Sequence, residues 1–446
     1  MSGQDGLDRI AASGRASARQ RGERRANRET TAFEATRFDQ LEKYRMIEKM
    51  SGASQLLDIP NPFYREHDGR AGATTAIGGH EYINFSSYDY LGLNADPRLA
   101  EAAHRAIDRY GISPSASRLV AGERPIHGEF ERALARHYGT AAALSFVSGH
   151  ATNVTTIGEL MEAQDLIVHD SLVHNSVMVG AQLSGATRRS FAHNDPDALE
   201  QVLTKERGRF RNVLIVVEGL YSMDGDAAPL AAFVDLKQRY GCWLMVDDAH
   251  GLGTLGATGK GAFEHAGIDP AGVDIWMGTM SKTLASTGGY ICGSAALIEV
   301  LKANASGFVF SVGLAPALAA SALAALEILH AEPERVTRLH ANTALFLDLA
   351  REAGLDTGYA EPYAIVPVIL GDSVLAVLLS DALLARGVNV LPIIYPAVPQ
   401  KAARLRFFIS AAHNEEQIRK AVAATAETLA ELRAAGGTMD ALAAFL

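Results

Sequence analysis

Cysteine is scarce: Cys242 and Cys292 are the only two in 446 residues, and both sit inside apolar runs. Two thiols so placed make neither a disulfide framework nor a metal-ligand spacing, so a reducing cytoplasm is the expected compartment and no metal is expected. No stretch of about 18 uninterrupted apolar residues occurs, which argues against a membrane span. A leader with an apolar h-region is missing as well. Positive charge is not in excess. Lys and Arg number 41 against 51 Asp and Glu, a formal net charge of -10, so nothing global points to nucleic acid. The composition is 48% hydrophobic and 21% charged, an ordinary globular balance, and the length suggests two or three domains with ample core.

Basic residues do concentrate in one place. Arg15, Arg19, Arg21, Arg24, Arg25 and Arg28 lie among Ser, Ala, Gly and Gln. Such a stretch cannot bury enough surface to order itself, so residues 1–30 read as a flexible tail. A solvated tail is the ordinary fate of a charge block. The sharper alternative is an electrostatic handle for an acidic carrier protein or a peripheral contact with an anionic membrane. An amphipathic helix is predicted over about Phe33 to Met50, with Phe38, Leu41, Tyr44 and Met46 near one face, inside a helical arm over 31–83.

From about Tyr82 short β-rich runs alternate with longer helical ones. Ala141 to Val147, Leu166 to His169, Val213 to Val217, Trp243 to Val246, Ile275 to Met277 and Gly289 to Cys292 read as strands. Pro97 to Tyr110, Ile126 to Tyr138 and Leu230 to Tyr240 read as helices. The alternation predicts an α/β fold, a mostly parallel sheet sandwiched by helices, with ligand sites beyond the strands' carboxyl ends. This large domain is expected over 84–330, closing on a long Ala/Leu-rich helix at about Pro316 to His330. A smaller α+β domain is expected over 331–446, with strands near Ala364 to Leu370 and Leu405 to Ile409 and a helix from Glu415.

Two segments carry chemistry. Asp247, Asp248, Ala249 and His250 end the apolar strand at Val246, and acids there are costly unless they bind something or are well paired. Gly278-Thr279-Met280-Ser281-Lys282 follows the apolar strand Ile275 to Met277. A lysine at such an exit is a phosphate contact, a covalent nucleophile or, most commonly, an exposed loop residue. The two segments lie one crossover unit apart, so both loops can open on the same end of the sheet. Gly251-Leu252-Gly253-Thr254-Leu255-Gly256 matches GxGxxG, but a dinucleotide fold wants those glycines directly at the strand end and leading into a helix.

The order DxAH, then a T-x-S-K lysine, resembles the fold-type I pyridoxal-phosphate enzymes, and more narrowly the α-oxoamine synthases. Further segments match in order: NFSSYDYLGL (84–93), SRLVAGERPIH (117–127), SGHATN (148–153), HDSLVHNS (169–176), FAHND (191–195), EGLYSMDGD (218–226) and RLRFFISAAH (404–413). The resemblance spans from about Asn84 to the C-terminal helix.

It implies pyridoxal 5'-phosphate as cofactor, held by Lys282 as a Schiff base, with Asp247 facing the pyridine nitrogen so that the ring is a better electron sink. Ala249 lies beneath the ring by the same resemblance, His174 on the opposite face, and Ser222 and His250 near the phenolic oxygen. The phosphate falls to Ser148, Gly149 and His150 at a helix N-terminus, with Thr279 and Ser281 on the other side. Arg406 matches the arginine that clamps the amino acid's carboxylate, with Arg404 as the neighbouring alternative. The implied reaction joins a small amino acid to an acyl thioester, on coenzyme A or a carrier protein, with loss of carbon dioxide. The family's two-fold interface implies a homodimer with shared active sites.

Tyr88 stands where the 8-amino-7-oxononanoate and 5-aminolevulinate branches carry asparagine. The serine palmitoyltransferases resemble this chain there, which favours serine and a long acyl chain; EGLYSMDGD and VDDAHGLG match the alanine-using branch equally. Phe310 to Pro316 replaces a stretch richer in Ser and Thr that reaches the neighbouring subunit's phosphate, His150 replaces an aromatic, and Ile394 stands where some members have arginine. An aminotransferase or decarboxylase of the same fold is the alternative enzyme. A non-catalytic partner subunit would be expected to lack Lys282.

Overall fold

The computed structural model describes residues 35–56 and 61–434, so the Arg-rich segment at 1–30 lies outside the described residues. The described residues up to Asn61 and those from Pro62 onward form two compact units. In the first, a 3-10 turn at Phe38–Gln40 leads into a helix at Glu42–Leu56, later in the chain than the spacing of apolar residues predicts.

The second unit carries three sheets. Strands β1 (Thr74–Ile77) and β2 (His80–Asn84) form a hairpin. Next come β3 (Ala142–Phe146), β4 (Leu166–Asp170), β5 (Thr187–Phe191), β6 (Val213–Glu218), β7 (Trp243–Asp247), β8 (Ile275–Thr279) and β9 (Gly289–Gly293). These seven make the central sheet, in the order β3-β9-β8-β7-β6-β4-β5, and only β9 runs against its neighbours. The remaining strands are β10 (Ile365–Gly371), β11 (Val388–Asn389), β12 (Pro392–Ile393) and β13 (Ala403–Phe408). β10, β13 and β12 form an antiparallel sheet, while β11 pairs in parallel with β2.

The central sheet is buried on both faces because its strands are apolar at consecutive positions. Along β6, Val213, Ile215 and Val217 face one core and Leu214 and Val216 the other. β7 repeats the division with Leu244 and Val246 against Met245. This is the period-two pleat of a strand covered by helices above and below. Each such side chain contributes about 1.5–3 kcal/mol on burial. The edge strand β5 escapes sequence reading because Arg188, Arg189 and Ser190 point outward, and charge of this kind blunts an edge against further pairing.

Local chemistry sets the helix ends. Asp96 caps the helix Pro97–Tyr110 by accepting from the Arg98 amide, and proline at the first position supplies a ready-made φ. Gly241, in the left-handed region at φ 60°, ends the helix Leu230–Tyr240. The consequence for function is directional. The carboxyl ends of β3, β4, β5, β6, β7 and β8 all open on one side, delivering in turn Ser148, His174, His193, Ser222, His250 and Lys282 to the loops beyond. Among the described residues, no helix is long and apolar enough to cross a membrane, and no group of side chains could hold a metal ion.

Candidate active site

All thirteen residues singled out above for a site line one cavity of about 470 Å³. Arg404 does not. Its guanidinium instead donates to the Met223 carbonyl at 2.9 Å and to Asp224 at 2.8 Å.

The floor is a pair of acids. β6 and β7 run in parallel with Glu218 beside Asp247 in register. Asp247 accepts from the Asn153 amide at 2.7 Å and from the Ala249 backbone N–H at 3.1 Å. Glu218 accepts from the Ser222 N–H at 3.3 Å, leaves Oε1 without a partner, and is driven to its neutral form by burial and then by the negative charge of Asp247. Burial also lowers the Lys282 amine to about 8, against the opposing pull of Asp247. A lysine there is uncharged far more often than one on the surface.

Three histidines surround the opening. His174 Nδ1 accepts from the Ser176 N–H and meets its hydroxyl at 2.7 Å, and Asn153 donates to that same hydroxyl at 2.9 Å. A continuous chain therefore runs from Asp247 through Asn153 and Ser176 to His174. Burial, opposed by Asp247 and reinforced by Lys282 and Arg406, holds His174 below the ordinary imidazole range. His150 presents its ring edge-on to His174 at 6.2 Å. His250 is held neutral by burial, then by the charges of Lys282 and Arg406, and its Nδ1 meets the Tyr90 hydroxyl at 2.7 Å. Burial keeps the Tyr90 phenol protonated, so it can donate to Nδ1 and leave the ring's own proton on Nε2.

An anion cradle lies on the other side. The helix Gly149–Leu160 begins there with Ser148 as its cap. Thr279 Oγ1 lies 2.8 Å from the Ser281 hydroxyl. A Cβ on Gly149 would come within 2.7 Å of Thr279 Oγ1, so only glycine brings the helix N-terminus this near. Arg406 donates to the Ser222 carbonyl at 2.9 Å and lies over the Phe408 ring at 4.6 Å, while its Nε is buried without a partner. The Tyr88 ring packs edge-on against His250 and Phe408, with Lys282 Nζ 5.9 Å from its centre.

Glu218, Ser176 and Tyr90 were not singled out from sequence. For Glu218 a signal exists, since a carboxylate ending the fully buried β6 is as costly as the one ending β7. Tyr90 gives no local sign. The GxGxxG loop has another explanation. A Cβ on Gly253 would collide with Thr283, one on Gly256 with Glu264, and one on Gly251 with the carboxyl of Asp248, which is buried, protonated by that burial, and bonded to the Ala262 N–H and the Tyr138 hydroxyl.

Three buried polar atoms without partners (Asn153 Oδ1, Glu218 Oε1 and Arg406 Nε) mark a space built for a polar guest. An amine poised near neutrality, a carboxylate between two donors and a glycine-lined helix N-terminus suit an aldehyde with a basic ring and a phosphate. The residues present therefore fit pyridoxal phosphate.

Residues 80–424 match the family described as aminotransferase class I and II. The 8-amino-7-oxononanoate synthase of Methylobacterium nodulans is 44% identical over 366 residues, 82% of this chain and 90% of that protein. The enzyme of that name from Symbiobacterium thermophilum is 42% identical, over 80% of this chain and 90% of its own. Among solved structures, Sphingomonas wittichii serine palmitoyltransferase superposes with a TM-score of 0.84 at 31% identity, covering 89% of this chain and 99% of that one. On this evidence the chain belongs to the class I and II aminotransferase family, as a pyridoxal-phosphate enzyme of its α-oxoamine synthase branch.

Proposed function

We propose that this α-oxoamine synthase uses alanine, joining it to an acyl thioester with loss of carbon dioxide. The observation that carries the choice is the identity of 42–44%, over four-fifths of the chain, to proteins named 8-amino-7-oxononanoate synthase. Serine is the second reading, favoured by Tyr88 and by the likeness to serine palmitoyltransferase.

Bound in the cavity, pyridoxal phosphate supplies an electron sink for negative charge at the amino acid's α-carbon. The chain's own residues do the rest. Asp247 would hold the cofactor's ring nitrogen protonated, and Ala249, His174 and Ser222, which line the same cavity, would hold the ring. Ser148, Gly149, His150, Thr279 and Ser281 hold the phosphate. Arg406, anchored through one nitrogen to the Ser222 carbonyl, offers its free Nε to the amino acid's carboxylate. Lys282 takes the proton from the α-carbon. His250 donates from Nε2 to the thioester carbonyl oxygen as the carbon–carbon bond forms and the thiolate leaves. After carbon dioxide departs, a proton returns to the α-carbon from Lys282.

The reading is tested by titrating glycine, alanine and serine against the absorbance of the bound cofactor. Acyl thioesters of different lengths, with and without a terminal carboxylate, on coenzyme A and on a carrier protein, are then added and product masses measured. Alanine is expected to give the largest kcat/KM, with thiol release matching product. Serine as the preferred amino acid rejects the alanine reading, and turnover without thiol release rejects the acyl transfer.

A homodimer is part of the same proposal. Leu119, Val120, Phe310 and Val312 are all exposed, and the Gly313 N–H donates to the Ala116 carbonyl, which brings their two segments side by side. Exposed apolar side chains gathered in one patch mark an interaction surface, and a two-fold contact would cover it. The double substitution Val120→Asp, Phe310→Asp is expected to sediment as a monomer with much reduced activity. An unchanged sedimentation coefficient removes this surface as the interface.

A further inference from the structure

His193 lies outside the cavity, yet it joins the two turns that furnish opposite sides of it. Its Nδ1 lies 3.0 Å from Asp170 at the end of β4, where the chain turns to deliver His174. Its Nε2 lies 2.8 Å from Asp226, in the turn that delivers Ser222. That turn is closed on itself by the Tyr221 N–H to the Asp226 carbonyl and by a bridge between Leu220 and Ala227. Asn194, held in the left-handed region at φ 50°, repeats the connection. Its N–H donates to Asp170 at 2.8 Å and its side-chain amide to Asp226 at 2.7 Å.

We propose that His193 is a positioning residue: a doubly charged-partnered imidazolium that fixes the His174 turn against the Ser222 turn and so sets the spacing of the cofactor site. With a carboxylate at each end, both ring nitrogens must donate, which only the protonated ring can do. The other groups facing it are the Tyr221 ring, edge-on at 4.5 Å, and the Tyr359 ring at 6.1 Å. Glu361 accepts from the Ala227 N–H on the same turn, and Arg404 pairs there with Asp224, while His193 is the ion partner of Asp170 and Asp226 among the described residues. The carboxylates of Asp170 and Asp226 hold the ring protonated up to about 10, although burial works against its charge. The connection is therefore complete at neutral pH and lost as pH rises through that value.

The test measures pyridoxal-phosphate affinity of the apoprotein, with no amino acid or thioester present, so the choice of substrate plays no part in it. His193→Gln can reach only one carboxylate. It is expected to bind the cofactor about tenfold more weakly than wild type at about pH 7.5, the loss that a modest misplacement of site groups brings. At about pH 10.5 the wild-type advantage should shrink to about threefold or less, because the wild-type ring is then mostly neutral. The ratio of the two proteins cancels the titration of Lys282, which both share. Affinities within twofold at neutral pH overturn the proposal, as does a ratio that is the same at both pH values, which marks a merely structural side chain. Should H193Q prove insoluble, Asp226→Asn, which keeps the shape of the turn and removes one charge, is read in the same way.

Discussion

Lys282→Ala is expected to lower kcat about 10⁴-fold and to abolish the visible band of lysine-linked cofactor, with the far-ultraviolet spectrum unchanged. The magnitude follows from removing one group that we propose serves both as covalent anchor and as proton carrier. The fold should survive because the amine makes no ion pair on which packing depends, and Glu218, its acidic neighbour, is already neutral. The wild-type amine carries a pH signature of its own. Its pKa is lowered to about 8, so cofactor capture by the apoprotein should speed up as pH rises and level off above that value. A capture rate that keeps climbing to pH 10.5, the ordinary lysine value, would show that burial does not tune this amine. Retained activity in the alanine variant would remove Lys282 from the site altogether.

Asp247→Asn should lower kcat about 10²–10³-fold, the usual cost of losing a charge aimed at the reacting group. An amide of the same size keeps the volume but cannot accept at both ends. The Asn153 amide at 2.7 Å and the Ala249 N–H at 3.1 Å both need an oxygen there, so one is left unpaired. The substitution also removes a negative charge that raises the Lys282 pKa, and the midpoint for cofactor capture should move below about 8. A downward shift with reduced kcat supports the assignment. Unchanged kcat and an unmoved midpoint would place Asp247 outside the chemistry.

The large sheet was legible because its strands announce themselves. β6, β7 and β8 are short apolar runs ending in Glu218, Asp247 and Thr279, and helices with glycine stops lie between them. Strands whose pairing lies far away were not. β1 and β2 have mixed burial and take shape only against each other and against β11, some three hundred positions along the chain. The two-residue β11 and β12 are too short to carry any periodic signal. Similarly, Arg404 and Arg406 are two positions apart on one face of β13, and a single sequence cannot say which reaches the cavity.

Chain order alone carried the family pattern, the meeting of Lys282 and Asp247 in one cavity, and the alternation that builds a parallel sheet, because these follow from local runs of residues and the crossover units that join them. Only the folded molecule decided that Glu218 stands beside Asp247, that Tyr90 holds His250, and that His193 spans two turns. Those relations join residues from 23 to 160 positions apart, as His193 with Asp170 and Tyr90 with His250 illustrate. Charge and hydrogen bonding act through space over a few ångströms, and nothing in the spacing of letters records that distance.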